Sequence, residues 1–278
     1  MLSRLFEVLC FLLIPSISFA QYYGEDISTP STWTVGIKAS TSILDADIES
    51  SAYGKQGGLF FEKNLSRIID LRIEARIGQN RGQNLFASSN HLLSRGLNGQ
   101  LNPGLSYDSA SQYFHNYQHS YASLGVHVKL NINRIFTVLG AEKWDIYLLG
   151  GLGAYGYESR INALNDQDQL YDFNIPTSLQ GDALEERLNS LFDDTYESLA
   201  DRDLVNSNFI GPFTLTSYFL TGAGFRIHLT ESLGIGLEGN YLFFGDDLLD
   251  GQQWQENGEL SPNRDKLLSL GLLLDFAF

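Results

Sequence analysis

Ile69-Asp70-Leu71-Arg72-Ile73-Glu74-Ala75-Arg76-Ile77 places an apolar residue at every odd position and an ionised one at every even position. A helix would scatter that pattern around its circumference; a strand sends alternate side chains to opposite faces, so period two means one apolar and one charged face. Seven further segments repeat the alternation. Trp33 to Ile43 and Lys55 to Glu62 precede it, and Ala122 to Leu130, Trp144 to Tyr157, Leu215 to Leu229, Leu233 to Phe243 and Leu268 to Phe278 follow. Trp144 to Tyr157 is the ambiguous one, because Tyr147-Leu148-Leu149 is apolar on both faces.

The connections alternate in length. Lys63 to Ser66 and Thr230 to Ser232 are short turns, and Asn131 to Lys143 is longer. Between them lie Leu44 to Gly54, Gln79 to Gln118, Glu158 to Pro212 and Phe244 to Asp265, polar and rich in Asn, Asp, Gly and Ser. Short links at one end and long ones at the other suit an up-and-down barrel with turns on one side of a membrane and loops on the other. Within the third long connection, Leu184, Leu188, Leu191, Phe192, Tyr196 and Leu199 share one face of an acidic amphipathic helix expected over 182–202.

Periodicity does not say which face meets the barrel lumen; the polar face does. Its charges are Lys38, Glu62, Asp70, Arg72, Glu74, Arg76, Lys129, Arg226, Glu238 and Asp275, five of each sign, and its other members are largely Gly, Ser and Thr. Small residues and balanced charges suit the narrow inside of an eight-stranded barrel. All but Glu62, joined by His127 and His228, are expected to form one interior charge network that plugs the lumen. The aliphatic face then meets lipid, with Trp33, Phe61, Trp144 and Phe278 at the short-turn rim and Tyr155 or Tyr157, Tyr241 and Phe243 at the loop rim.

The two chain ends fit this reading. Met1 to Ala20 has a positive start, an apolar run containing the lone Cys10, and Ser18-Phe19-Ala20 as a small-x-small cleavage site, so a signal peptide ending at Ala20 is expected. Residues 21–278 then form the mature barrel, located in the outer membrane. At the other end Leu270, Leu272, Leu274, Phe276 and Phe278 alternate up to the last residue, a closing-strand signal for the outer-membrane assembly machinery. The fold class is therefore all-β: an eight-stranded antiparallel up-and-down transmembrane β-barrel with long extracellular loops.

With that set of features the chain resembles the OmpA-like outer-membrane barrels of Gram-negative bacteria. The segment Leu237-Glu238-Gly239-Asn240-Tyr241, followed by Asp246-Asp247-Leu248-Leu249-Asp250-Gly251, is similar to the strand-and-acidic-loop ending of such barrels. The resemblance implies a structural or surface-interaction role, with outer-membrane lipids and ligands of the loops as partners. Many relatives continue into a peptidoglycan-binding domain that has no counterpart in this sequence, so anchoring to the cell wall is not implied.

Composition excludes other classes. Lys+Arg number 18 against 33 Asp+Glu, a net charge of −15, which argues against a nucleic-acid partner. One Cys excludes a disulfide framework. The strings Gly151-Leu152-Gly153-Ala154-Tyr155-Gly156 and Gly234-Ile235-Gly236-Leu237-Glu238-Gly239 lie inside strands with no helix behind them, so they make room in a barrel rather than cradle a phosphate. His115, His119 and Ser120 could serve a lipid-modifying enzyme, and Arg72, Glu74, Arg76, Arg226 and Glu238 could line a narrow channel. Asp246 to Gly251, with Glu256 and Glu259, is expected to be a solvated acidic loop rather than a calcium site. No catalysis, cofactor or metal is expected.

Overall fold

The computed structural model describes residues 32–46, 50–51, 53–87, 113–135, 143–167, 169–176, 178–200, 208–251 and 264–278. The expected signal peptide, Cys10, Glu256 and Glu259 lie outside them. Eight long strands form the wall: β1 (Trp33–Asp45), β3 (Gly54–Asn64), β4 (Ile69–Gln83), β5 (Asn116–Asn131), β6 (Trp144–Ile161), β9 (Phe213–His228), β10 (Leu233–Phe244) and β11 (Lys266–Ala277). Each pairs antiparallel with the next, and β11 returns to β1, so the barrel is closed. Trp33 N donates to Phe278 O at 3.1 Å and Phe278 N to Trp33 O at 2.8 Å, sealing the seam at its end. Three short strands extend the wall at the loop end: β2 (Ser50–Ser51) on β4, β7 (Ser198–Leu199) on β6 and β8 (Asn208–Ile210) on β9.

The register fixes the barrel's shape. Stepping from Gly224 across one strand at a time leads through Glu238, Gly271, Ser40, Gln56, Gly78, Tyr121 and Tyr157 back to β9 at Thr214, a stagger of ten residues. With ordinary strand spacings that stagger tilts the strands by about 40° and lifts the chain about 2.5 Å along the axis per residue. Eight strands enclose only enough room for side chains.

The faces divide as the alternation requires. Ile37, Leu59, Phe61, Ile73, Ile77, Leu124, Val126, Leu152, Leu237, Leu270, Leu272, Leu274 and Phe276 all point outward and are exposed, while the charged face is buried inside. The outward apolar row Leu268 to Phe278 alone is about 25 Å tall along the axis, the height of a lipid-facing band.

Several strands run further toward the loops than the alternation indicates. β4 continues to Gln83 and β5 begins at Asn116, with Gln83 opposite Asn116. The outward residues there are Gln79, Arg81, Gln118 and Ser120. Once both faces are polar the period-two signal disappears, although pairing continues.

The helix expected over 182–202 is also shorter. It is α2 (Asp182–Asn189), with Leu184 and Leu188 buried; α1 (Ile132–Ile135) is a single turn at the opposite end. After Ser190 the Asp193 carboxylate accepts from Thr195 N, and Asp194 and Tyr196 take positive φ, so the chain turns and enters β7. Local side-chain-to-backbone bonding of this kind outcompetes the helix.

Candidate functional site

Two layers fill the barrel. In the half nearer the short turns, all ten wall charges join into one network. Asp70 meets Lys129 at 2.8 Å, and Lys129 pairs with Glu62. Glu62 also binds Arg72 at 2.9 Å and Arg226 at 3.1 Å; Arg226 passes on to Asp275 at 3.2 Å. Arg72 bridges to Glu238 at 2.6 Å, Lys38 bridges Glu238 at 2.6 Å to Glu74 at 3.1 Å, and Arg76 closes on Glu74 at 2.8 Å. No side chain in this chain of pairs is more than 5% exposed. Buried ions are tolerated only when paired and hydrogen-bonded, and here every charge has a partner of opposite sign. Tyr147 Oη at 2.9 Å and Asn240 Nδ2 at 3.0 Å complete Glu238, while the Phe60 ring lies 4.5 Å from the Arg72 guanidinium.

The two histidines part company. His127 is fully buried with Nδ1 3.5 Å from Glu74. His228 is not in the network. It sits 26% exposed at the short-turn rim, with Nε2 2.8 Å from Asp145, whose carboxylate also takes a bidentate Arg134 at 2.7 and 2.9 Å. Tilt is the reason: His228 lies two residues beyond Arg226, where the lumen opens. Arg134 belongs to α1, and Asn133 beside it holds Trp144 O and Ile146 N, so this rim cluster pins the helical turn. Glu62, not expected in the network, contacts three of its cations because it faces Arg72 directly across β3 and β4.

The half nearer the loops is aromatic. Tyr121 stacks on Tyr155 with centroids 4.8 Å apart, and Tyr155 meets Phe244 at 4.6 Å. Either Tyr155 or Tyr157 is expected on the outer rim; both are buried inside, as are Tyr117, Tyr121, Tyr147 and Tyr218. Glycines on neighbouring strands make the room. A β-carbon on Gly224 would overlap the Tyr147 ring, and one on Gly153 the Tyr218 ring.

His119 bonds Tyr155 Oη at 2.8 Å and Ser159 Oγ at 3.0 Å, and Ser159 donates to Leu249 O at 2.5 Å. Ser120 faces outward and bonds Gln79, so the sequence neighbours His119 and Ser120 stand on opposite faces. His115 reaches the Asp250 carbonyl at 3.0 Å, and Asp246 accepts from Tyr157 Oη at 2.6 Å. The 246–251 loop is therefore folded over the mouth; Asp250, expected to be solvated, is buried.

Above it, Tyr113, Phe114, Tyr171, Phe173 and Phe192 form a loop core on which Leu184 and Leu188 pack. In this region burial pushes the Asp193 carboxyl up, but donors on Thr195, Tyr171 and Asn162 outweigh it and hold it below the ordinary value. Among the described residues no group of three or more acidic, His or Cys side chains is spaced to hold a metal ion.

Comparison with known proteins assigns the chain no family. No family model and no curated protein sequence matches the chain. Solved structures similar to it include Ail, the attachment invasion locus protein of Yersinia pestis, in complex with the heparin analogue sucrose octasulfate, at 10% identity and a TM-score of 0.38, covering 89% of this chain and 99% of that one. Neisserial surface protein A is similar at 9% identity and TM-score 0.41, covering 88% and 97%. A major outer membrane protein of Thermus thermophilus gives 11%, 0.36, 88% and 99%. At these values no residue and no activity transfers. Closure of the barrel rests on its own eight strand pairings.

Proposed function

We propose that the chain is an integral outer-membrane β-barrel protein whose lumen is plugged and whose loops form an interaction surface. The exposed apolar band supports membrane insertion, since soluble monomers rarely keep so continuous an apolar patch in water. Trp33 and Phe278 at one rim and Tyr241 and Phe243 at the other stand where interfacial aromatics belong. Closure satisfies the backbone in lipid. Export by a leader cleaved after Ala20, and insertion by an assembly machinery that reads the Phe278 strand, belong to the same proposal.

The observation that carries the plug is the unbroken ten-charge network, stacked under the Tyr121, Tyr155 and Phe244 layer. An ion would have to separate several buried pairs to pass. The role is therefore structural and recognitive rather than conductive or catalytic. His119 and Ser159 are sealed inside, out of reach of lipid. Planar-bilayer recording tests the plug: wild-type protein is expected to show no steady conductance. Steady openings that vanish in Glu74→Ala or Arg72→Ala would instead establish a channel.

A further inference from the structure

The outer wall is not uniform at the loop end. On β3 to β6, two rows of polar residues face outward just above the apolar band. In the lower row Lys55 stands opposite Gln79, and Gln79 opposite Ser120; in the upper row Arg81 stands opposite Gln118, and Gln118 opposite Arg160. Cross-strand bonds hold the rows rigid. Gln79 Nε2 donates to Ser120 Oγ at 3.1 Å, and Arg81 Nε to Gln118 Oε1 at 3.2 Å. Arg81 also lies 5.0 Å from the Tyr196 ring, whose backbone is held at positive φ. Two acids accompany the three cations: Glu158, paired with Arg160, and Asp194, 3.8 Å from Arg81. Lys55 is exposed, and none of the described ion pairs includes it.

Among the described residues the opposite wall carries no such shelf. There Tyr241 and Phe243 mark the rim, and Lys266 is 3.7 Å from Asp45, which also accepts from Tyr241 Oη. A surplus of even one cation on one side is notable in a chain of net charge −15.

Resting on the membrane reading above, we propose that this shelf binds the headgroup of an outer-leaflet lipid carrying two or more phosphates. Height and charge both fit: the lower row starts at Lys55, where the apolar band ends, both rows climb about 3 Å per strand from β3 to β6 through the headgroup region, and cations with amide and hydroxyl donors between them suit phosphate oxygens. Span decides the number of phosphates. Lys55 and Arg160 are three strand gaps and two residues apart, about 16 Å across the wall, and Arg160 is turned to Glu158, so one phosphate does not touch both. A bisphosphorylated headgroup can engage Lys55 with one phosphate and the Arg81/Arg160 pair with the other.

The test uses the full chain in phosphatidylcholine nanodiscs doped with either bisphosphorylated lipid A or phosphatidylglycerol at equal phosphate. Lipid retained by the released protein is counted by native mass spectrometry. Wild type is expected to retain lipid A over phosphatidylglycerol. Lys55→Gln/Arg160→Gln removes two cations and is expected to weaken retention by about tenfold or more. Lys55→Arg/Arg160→Lys keeps it, and Lys266→Gln on the far wall leaves it unchanged. Equal retention of the two lipids, or an unaffected Gln double variant, overturns the proposal. A chain that stays soluble without lipid or detergent overturns the membrane reading itself, and this surface with it.

Discussion

Replacing Ile73 by arginine sets a guanidinium on the outer wall midway along the apolar row of β4. Ile73 is 49% exposed and stands opposite Phe61 on β3 and Val126 on β5, all three outward and apolar. Four residues separate it from Ile69 and four from Ile77, so with the strand tilt it lies about 10 Å from either edge of the row. In lipid, arginine at that depth costs about 2–4 kcal/mol, roughly a thirtyfold to thousandfold loss in the folding equilibrium, and near the interface only about 0–1 kcal/mol. Ile77→Arg, nearer the rim, therefore makes the matched control. Urea titration of protein refolded into phospholipid vesicles reads both. In water the same two substitutions would each fall within about 0.5 kcal/mol of wild type, because an exposed arginine on a strand disturbs little. Equal and small effects at 73 and 77 would refute the lipid-facing assignment of the whole wall, since the cross-strand register ties the outward face of every strand to that of Ile73.

Two further outcomes follow from the interior. Glu238→Gln strips the partner shared by Lys38 and Arg72 and is expected to destabilise the barrel by about 3–5 kcal/mol. Adding Lys38→Met should recover part of that loss, and strictly additive urea midpoints would contradict the network. Gly224→Val drives side-chain atoms into the Tyr147 ring, an overpacking expected to cost about 1–3 kcal/mol. Refolding yield and thermal midpoint should fall, and Tyr147→Leu in the same chain should restore them; an unaltered Gly224→Val barrel would show that the ring has space to move.

Strand positions and the sense of the two faces were legible because each long strand has two chemically different faces, apolar outside and largely polar or small inside. Two features were not. Tyr155 or Tyr157 reads as an interfacial aromatic, since tyrosine is at home at either place. Their parity, however, is that of Gly151 and Gly153, and inward glycines are what leave room for inward rings. The same parity resolves Tyr147, which faces in while Leu148 faces out. The second feature is the connectivity of the charges. Spacing along one strand places Glu62 and His228 equally well, but cross-strand register sets Glu62 against Arg72 and leaves His228 at the rim with Asp145, a partner that alternation alone does not single out.

The aromatic interior has no seam at the mouth. One contiguous apolar cluster runs from Tyr147 through Tyr121 and Tyr155 to Tyr113, Tyr171, Phe173 and the buried face of α2. Many surface loops behave as replaceable cassettes, because nothing beneath depends on their content. The 162–200 excursion is instead rooted in the barrel as a tooth is in bone. Exchanging it whole would uncork the lumen's aromatic half, whereas the exposed side of α2, with Glu185 and Glu186, is free to be rewritten. Variation in this excursion is then channelled into single outward positions on a fixed relief, and its shape outlasts changes in its chemistry.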